Sequence, residues 1–339
     1  MTHELKAIFE SFALAKQQGI KTVLATVVDL EGSSYRKPGV RMLIWQNGFM
    51  LGAVSGGCVE KEVLKQSHSV FETGTAKMIT YDGRYRLGCE GIIYILLEVF
   101  EPNLNTQTFF ADLLAKRLPF KIVSSYDKST GSANGYGSAI FSKKSGLMSF
   151  SGDINNLKNS LKLFTQEMSP CNQLLIMGAE HDAVDLCKLA DFLGWQVSIV
   201  CSVLSPKKIS DFPGATKVLA LPPDRYSTLE IDANTAVILM SHNYASDLKN
   251  LLAIKEREPF YIGVLGAKKR KEKLLDEFLS FHPEAEEAFL EKVHGPAGLD
   301  IGAITPQEIA ISIMAELMAV LRKKQEVLST KISHQELFG

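Results

Sequence analysis

Apolar residues at Leu5, Ile8, Phe9 and Phe12 recur at helical spacing, which predicts an amphipathic helix over 4–17 that stops near Gly19. Thr22 to Val28 is a β-branched run and reads as a strand. Val40 to Trp45 and Gly48 to Val54 read as a hairpin turning at Gln46-Asn47-Gly48. Its second arm ends in a turn of small residues, and a helix is predicted from Val59 to Val70. A short strand over Lys77–Tyr81 and an apolar one over Ile92–Val99 follow. Then come a helix over 106–117, a strand over 119–125, and a hairpin of Ser138–Phe141 with Leu147–Phe150. The polar stretch from Ser151 to Ser169 reads as a connection.

Beyond it the pattern changes. Gln173–Met177, Gln196–Val200, Lys217–Leu221, Ala236–Met240 and Tyr261–Leu265 are short apolar runs alternating with helical segments. That alternation calls for a mostly parallel sheet with helices on both faces. The fold class is therefore α/β: an N-terminal mixed α+β domain over 1–155, a linker over 156–170, and a C-terminal Rossmann-like doubly wound parallel sheet over 171–330. Thr305-Pro306-Gln307-Glu308 combines a cap, a first-turn proline and a capping-box glutamate, so a last helix begins there. From Ile309 to Val320 only Ser312 and Glu316 are polar. With Glu308 they form a stripe stepping by four, which faces either solvent or a crevice.

Composition narrows the function. Hydrophobic content of 46% and charged content of 22% are globular values, and a net charge of −1 argues against a general nucleic-acid or membrane-surface binder. No apolar run reaches about 18 residues, the length of a membrane span. The five cysteines form no CxxC pair and suit neither a zinc site nor a disulfide framework. A reduced cytoplasmic protein is the expectation.

The candidate chemistry lies in glycine-rich turns. In Ser55-Gly56-Gly57-Cys58-Val59-Glu60 the turn Gly56, Gly57 meets a helix start, where free N–H groups can seat an anion. Cys58 lies at that same end, which favours a thiolate, while Glu60 works against it. A tight turn with a small buried cysteine explains the spacing equally well. Cys89 is a second glycine-flanked cysteine, and Arg36 and Arg41 belong to a polar loop that suits either an anionic ligand or plain solvation. Gly178 opens the first strand–helix turn of the second half. His242 follows the fourth strand there, and Gly266 with Lys268, Lys269 and Arg270 follows the fifth, all at the carboxyl edge where such sheets bind ligands. Cations at a helix start oppose its dipole, so a bound anion or a solvated basic face accounts for them. His294, Gly298 and Asp300 mark another glycine-rich loop. Dinucleotide binding is disfavoured: Glu180 stands where the fingerprint needs its second glycine, and the second strand ends in Cys201-Ser202 without the ribose-binding acid.

Taken in order, these segments resemble the XdhC/CoxI family. Gly32-Ser33-Ser34-Tyr35-Arg36-Lys37-Pro38-Gly39 is similar to its GSSPRxPG loop, with Tyr35 in place of proline. Ser55 to Glu60 is similar to its SGGCxE segment and Gly88-Cys89 to a later GC. Tyr261 to Gly266 with the basic run behind it, and His294 to Gly302, are similar to two further segments. The resemblance implies a maturation factor that binds the molybdenum–pterin cofactor, with Cys58 as candidate molybdenum contact. It also implies protection of the cofactor, support of its sulfuration, and insertion into an apo xanthine dehydrogenase-type hydroxylase. A cysteine desulfurase is a further candidate partner and a homodimer a candidate assembly. Such a factor is an accessory protein rather than an enzyme, with NAD(P) not expected. The competing readings are an NAD(P)-dependent oxidoreductase using the Rossmann-like half, and a scaffold that holds no cofactor.

Overall fold

The computed structural model describes residues 2–34, 37–57, 59–85, 91–142, 146–151 and 161–322. The chain divides into two units, residues 1–170 and 171–339, each with its own core.

In the first unit the predicted opening helix is α1, Thr2–Gln17, with Leu5, Ile8, Phe9, Phe12 and Ala15 buried along one face. Strands β1 (Thr22–Glu31), β2 (Arg41–Trp45) and β3 (Met50–Gly52) form a meander. After α2 (Glu60–Thr73) come β4 (Lys77–Asp82) and β5 (Ile92–Val99), then α3 (Leu104–Ala115). The remaining strands are β6 (Phe120–Tyr126), β7 (Gly131–Ser132), β8 (Gly137–Ser142), β9 (Gly146–Ser149) and β10 (Lys162–Met168). They build two antiparallel sheets, ordered β3-β2-β1-β5-β4-β7 and β10-β6-β8-β9. The larger sheet is covered on both faces. Val23, Met42, Ile44, Ile95 and Leu97 pack with Val63 and Val70 of α2, whereas Leu24, Leu43 and Trp45 pack with α1 and with Ile122 and Ile140 of the second sheet.

One assignment is corrected here. Residues 162–168, read as linker, form β10, which pairs along its whole length with β6. It is an edge strand whose residues are exposed or half-buried up to Met168, so it shows no apolar alternation. Tertiary pairing supplies what the pattern lacks.

The second unit contains β11 (Gln173–Met177), α4 (His181–Phe192), β12 (Gln196–Cys201) and β13 (Ala215–Ala220). Then follow β14 (Thr235–Leu239), α5 (Tyr244–Ala253), β15 (Tyr261–Val264), α6 (Lys268–Phe281), α7 (Glu287–Leu290), β16 (Val293–His294) and α8 (Pro306–Leu321). All six strands are parallel, in the order β13-β12-β11-β14-β15-β16. Helices α4 and α8 cover one face, and α5 and α6 the other. This is the Rossmann order with its reversal between β11 and β14, so the crevice lies at the carboxyl ends of the strands. Among the described residues no helix is long and apolar enough to cross a membrane.

Candidate functional site

In the first unit the turn before α2 is held by Glu60. The Ser55 N–H donates to Glu60 Oε1 at 2.8 Å and the Ser55 hydroxyl to Oε2 at 2.6 Å. Ser55 Oγ in turn accepts the N–H groups of Gly57 and Val59, each at 3.2 Å. Burial works to raise the Glu60 carboxyl, but the Ser55 and backbone hydrogen bonds outweigh it and hold the group below the usual carboxylate range. Glu60, expected among the ligand contacts, is thus turned inward: both its oxygens are used in shaping the turn. Gly56 and Gly57 are exposed, with open space beside each. Cys58, Cys89 and Arg36 lie outside the described residues. Replacing Glu60 with alanine is expected to cost about 2 kcal/mol in urea unfolding, because the buried Ser55 hydroxyl and N–H both lose their acceptor.

Arg41, expected to meet an anion from a solvated loop, is instead half-buried at the start of β2, with its guanidinium enclosed by protein. Its Nη1 donates to the Gly39 carbonyl at 2.8 Å and to Gln166 Oε1 at 2.6 Å. Burial pushes the guanidinium down to about 10, with Glu98 and Glu4 pulling it back up. The reason is the two-sided sheet: every residue of β2 faces protein, and Arg41 falls on the Leu43–Trp45 side, toward the second sheet.

The second unit gathers more of the expected residues. At the carboxyl edge of β14 and β15 a cavity of about 730 Å³ is lined by His242, Gly266, Arg270, Gly298 and Asp300, with an apolar wall of Leu265, Pro296, Leu299 and Ile309. Arg270 is fixed within it. Its Nη2 donates to Asp247 Oδ2 at 2.7 Å, and Asp247, 1% exposed, accepts the Ser241 hydroxyl at 2.6 Å and the Ser241 N–H at 3.2 Å. The end of β14 is thereby tied to the start of α6. Gly266 is required here, since a Cβ would stand 2.8 Å from Arg270 Cδ and push the arginine off the turn. Ala267 caps α6 without a side-chain hydrogen bond, so the first N–H groups of the helix point outward unsatisfied by a cap. His242 adopts φ 54° and places Nε2 3.4 Å from Asp182 Oδ2.

Several expected contacts are corrected. Lys268 and Lys269 are exposed on α6 and do not line the cavity; Lys268 lies 4.0 Å from Glu272. Gly178 lines a different cavity, and its glycine is needed because a Cβ would collide with the Met240 carbonyl across the β11–β14 reversal. His294 stands behind the cavity wall. Its ring stacks on Tyr261 at 4.3 Å, and Nδ1 lies 3.1 Å from Glu316 Oε1.

The residues that organise this wall belong to no glycine-rich motif. Glu316 Oε2 accepts the Tyr261 hydroxyl at 2.5 Å and the Gly298 N–H at 2.7 Å. Ser312 donates to the Leu299 carbonyl at 2.6 Å. Of the polar stripe on α8, Glu308 completes the capping box with Thr305, while Ser312 and Glu316 face the 294–302 loop. The stripe is the one sequence signal for this role of α8, and it does not name its partners, since Tyr261 and His294 lie 55 and 22 residues away. Among the described residues no group of His, Cys, Asp and Glu is placed to hold a metal ion.

Comparison with known proteins adds sequence to geometry. Residues 15–82 match a family model described as the XdhC and CoxI family, and residues 174–317 match one described as the XdhC Rossmann domain. The chain is 28% identical over 319 residues to a Bacillus subtilis protein named as a probable xanthine dehydrogenase subunit, covering 89% of this chain and 94% of that one. It is 26% identical over 333 residues to the molybdenum cofactor insertion chaperone PaoD of Escherichia coli, covering 96% and 92%. A crystal structure titled as a xanthine dehydrogenase from Bacillus halodurans matches with a TM-score of 0.76 at 26% identity, over 94% of this chain and 96% of that one.

Proposed function

Because the chain belongs to the XdhC and CoxI family, we propose that it is a maturation factor for a molybdenum hydroxylase. It binds the molybdenum–pterin cofactor, shields it, supports its sulfuration and delivers it to an apo-enzyme of the xanthine dehydrogenase type. The observation that carries this reading is the cavity beside Arg270.

The donor set fits the group. The pterin phosphate is an anion, and the cavity offers it a guanidinium fixed by Asp247 beside the uncapped start of α6. The flat pterin suits the apolar wall of Leu265, Pro296 and Leu299. A volume of about 730 Å³ lies within the usual range for small-molecule sites. When bound, the cofactor supplies the molybdenum redox centre that the recipient enzyme uses. The chain's own residues bind and orient it: Arg270 and the α6 amides hold charge, and the 294–302 loop closes one side against water. The task needs no general acid–base pair. A cysteine desulfurase as sulfur source belongs to this reading.

The test is loading. Purified chain exposed to a cofactor-loaded donor and then re-isolated should retain stoichiometric pterin, read as fluorescence after oxidation. Arg270→Ala should lower retention about tenfold, the worth of one charge-assisted contact to phosphate. Undiminished retention in that variant would remove the cavity from the function.

A further inference from the structure

A second cavity of the same unit is left unused by this role. It measures about 470 Å³ and opens at the carboxyl ends of β11, β12, β13 and β14, on the other side of the sheet reversal. Open α/β sheets bind ligands at this place, and the volume lies within the range of small-molecule sites. One wall is apolar and stiff, made by Leu221, Pro222, Pro223 and the buried ring of Tyr226, which donates to Asn250 at 3.0 Å. Such a wall suits the face of a base. Ser202, Ser205 and Asn243 add hydroxyl and amide groups to the lining, the kind that bond a sugar.

The charges decide the ligand's direction. Lys207 and Lys249 line the cavity, and neither ammonium has an ion-pair partner among the described residues. Glu180 also lines it, at the cap of α4 and with no side-chain cap hydrogen bond. In an ordinary dinucleotide site the pyrophosphate lies over that helix start, and here a carboxylate would oppose it. The second strand ends in Cys201 and Ser202, where an acid would bond the ribose diol. Negative charge is thus repelled from the usual phosphate position over α4 and drawn to the two unpaired lysines of the lining. We infer that this cavity binds a nucleoside monophosphate, base against the Pro222–Tyr226 wall and phosphate toward Lys207 and Lys249.

Titration calorimetry on the full chain tests this, with AMP and CMP as probes and adenosine, inorganic phosphate and NAD as controls. A monophosphate should bind at least about tenfold more tightly than adenosine or inorganic phosphate, since each control lacks one half of the contacts, and NAD should bind no more tightly than AMP. The double variant Lys207→Glu, Lys249→Glu should lose about tenfold or more in AMP affinity while pterin loading is unchanged. No heat with either monophosphate at millimolar concentration, inorganic phosphate binding as tightly as AMP, or NAD binding more tightly than AMP would each overturn the assignment. So would a loss of pterin loading in the double variant, because the two cavities would then be one site. Nucleotide binding by a chain that retains no pterin would support this inference and sink the maturation role, so the two fail separately.

Discussion

Replacing Glu316 with alanine is expected to lower the unfolding free energy of the second unit by about 3–5 kcal/mol and to abolish pterin retention. The cost follows from what the carboxylate holds. The hydroxyl of Tyr261, fully buried at the start of β15, the Gly298 N–H and His294 Nδ1 all converge on its two oxygens. Each buried partner left unsatisfied costs about 1–3 kcal/mol. Retention falls because Gly298 lines the cavity and owes its position to that bond. Burial works to raise the Glu316 carboxyl, but the bonds from His294, Tyr261 and Gly298 outweigh it and keep it below the usual range. Its stabilisation is therefore present above the ordinary carboxylate range and lost as pH falls through the lowered value. Glu316→Gln keeps one carbonyl oxygen for Tyr261 and Gly298. It should cost about 1 kcal/mol and lose the acid dependence. The chain has two tryptophans, so urea unfolding followed by Trp195 fluorescence in a Trp45→Phe background reads this unit alone. A Glu316→Ala variant with unchanged midpoint and pterin retention would show that the loop stands without it.

Much of this architecture was legible because local signals and tertiary demand agreed. The capping box at Thr305 and the Asn-Gly hairpin each name their own geometry, and the buried strands of a parallel sheet are apolar runs whatever their neighbours. What stayed hidden depended on partners distant in sequence. Strand β10 carries an edge-strand composition, and β16 is only two residues long, so neither has a period to detect. Arg270 could not be separated from Lys268 and Lys269 by sequence, since consecutive helical residues point about 100° apart and only the packing of α6 decides which one meets the cavity. Arg41 was misplaced for a related reason: loop composition says nothing of a second sheet lying over the strand that follows. The sequence marks His294 as part of a glycine-rich loop, but its support comes from Glu316, on another element.

The first unit should lose stability as pH rises from the acid range through neutrality, by up to about 3 kcal/mol. Glu98 causes this. It is fully buried on β5 between the two sheets, accepting the Ser138 N–H at 2.7 Å and the Ser138 hydroxyl at 2.6 Å. Burial raises its carboxyl from 4.5 to about 7, with Ser138 and the Arg41 guanidinium pulling the other way. The folded chain therefore binds a proton that the unfolded chain has released between 4.5 and about 7. Across that window folding becomes less favourable with every step upward in pH, the reverse of a salt-bridged carboxylate. The full effect is reached above the folded value. Trp45, which packs with the first-unit core and donates to Ser11 at 3.0 Å, reports this unit once Trp195 is replaced by phenylalanine. Its urea midpoint should be lower at pH about 8 than at pH about 5. Glu98→Gln should flatten that difference, because the amide still accepts from Ser138 and has no charge to desolvate. If wild type and Glu98→Gln show the same slope, the near-neutral proton belongs to another group, and the contact between the sheets is held without regard to ionisation.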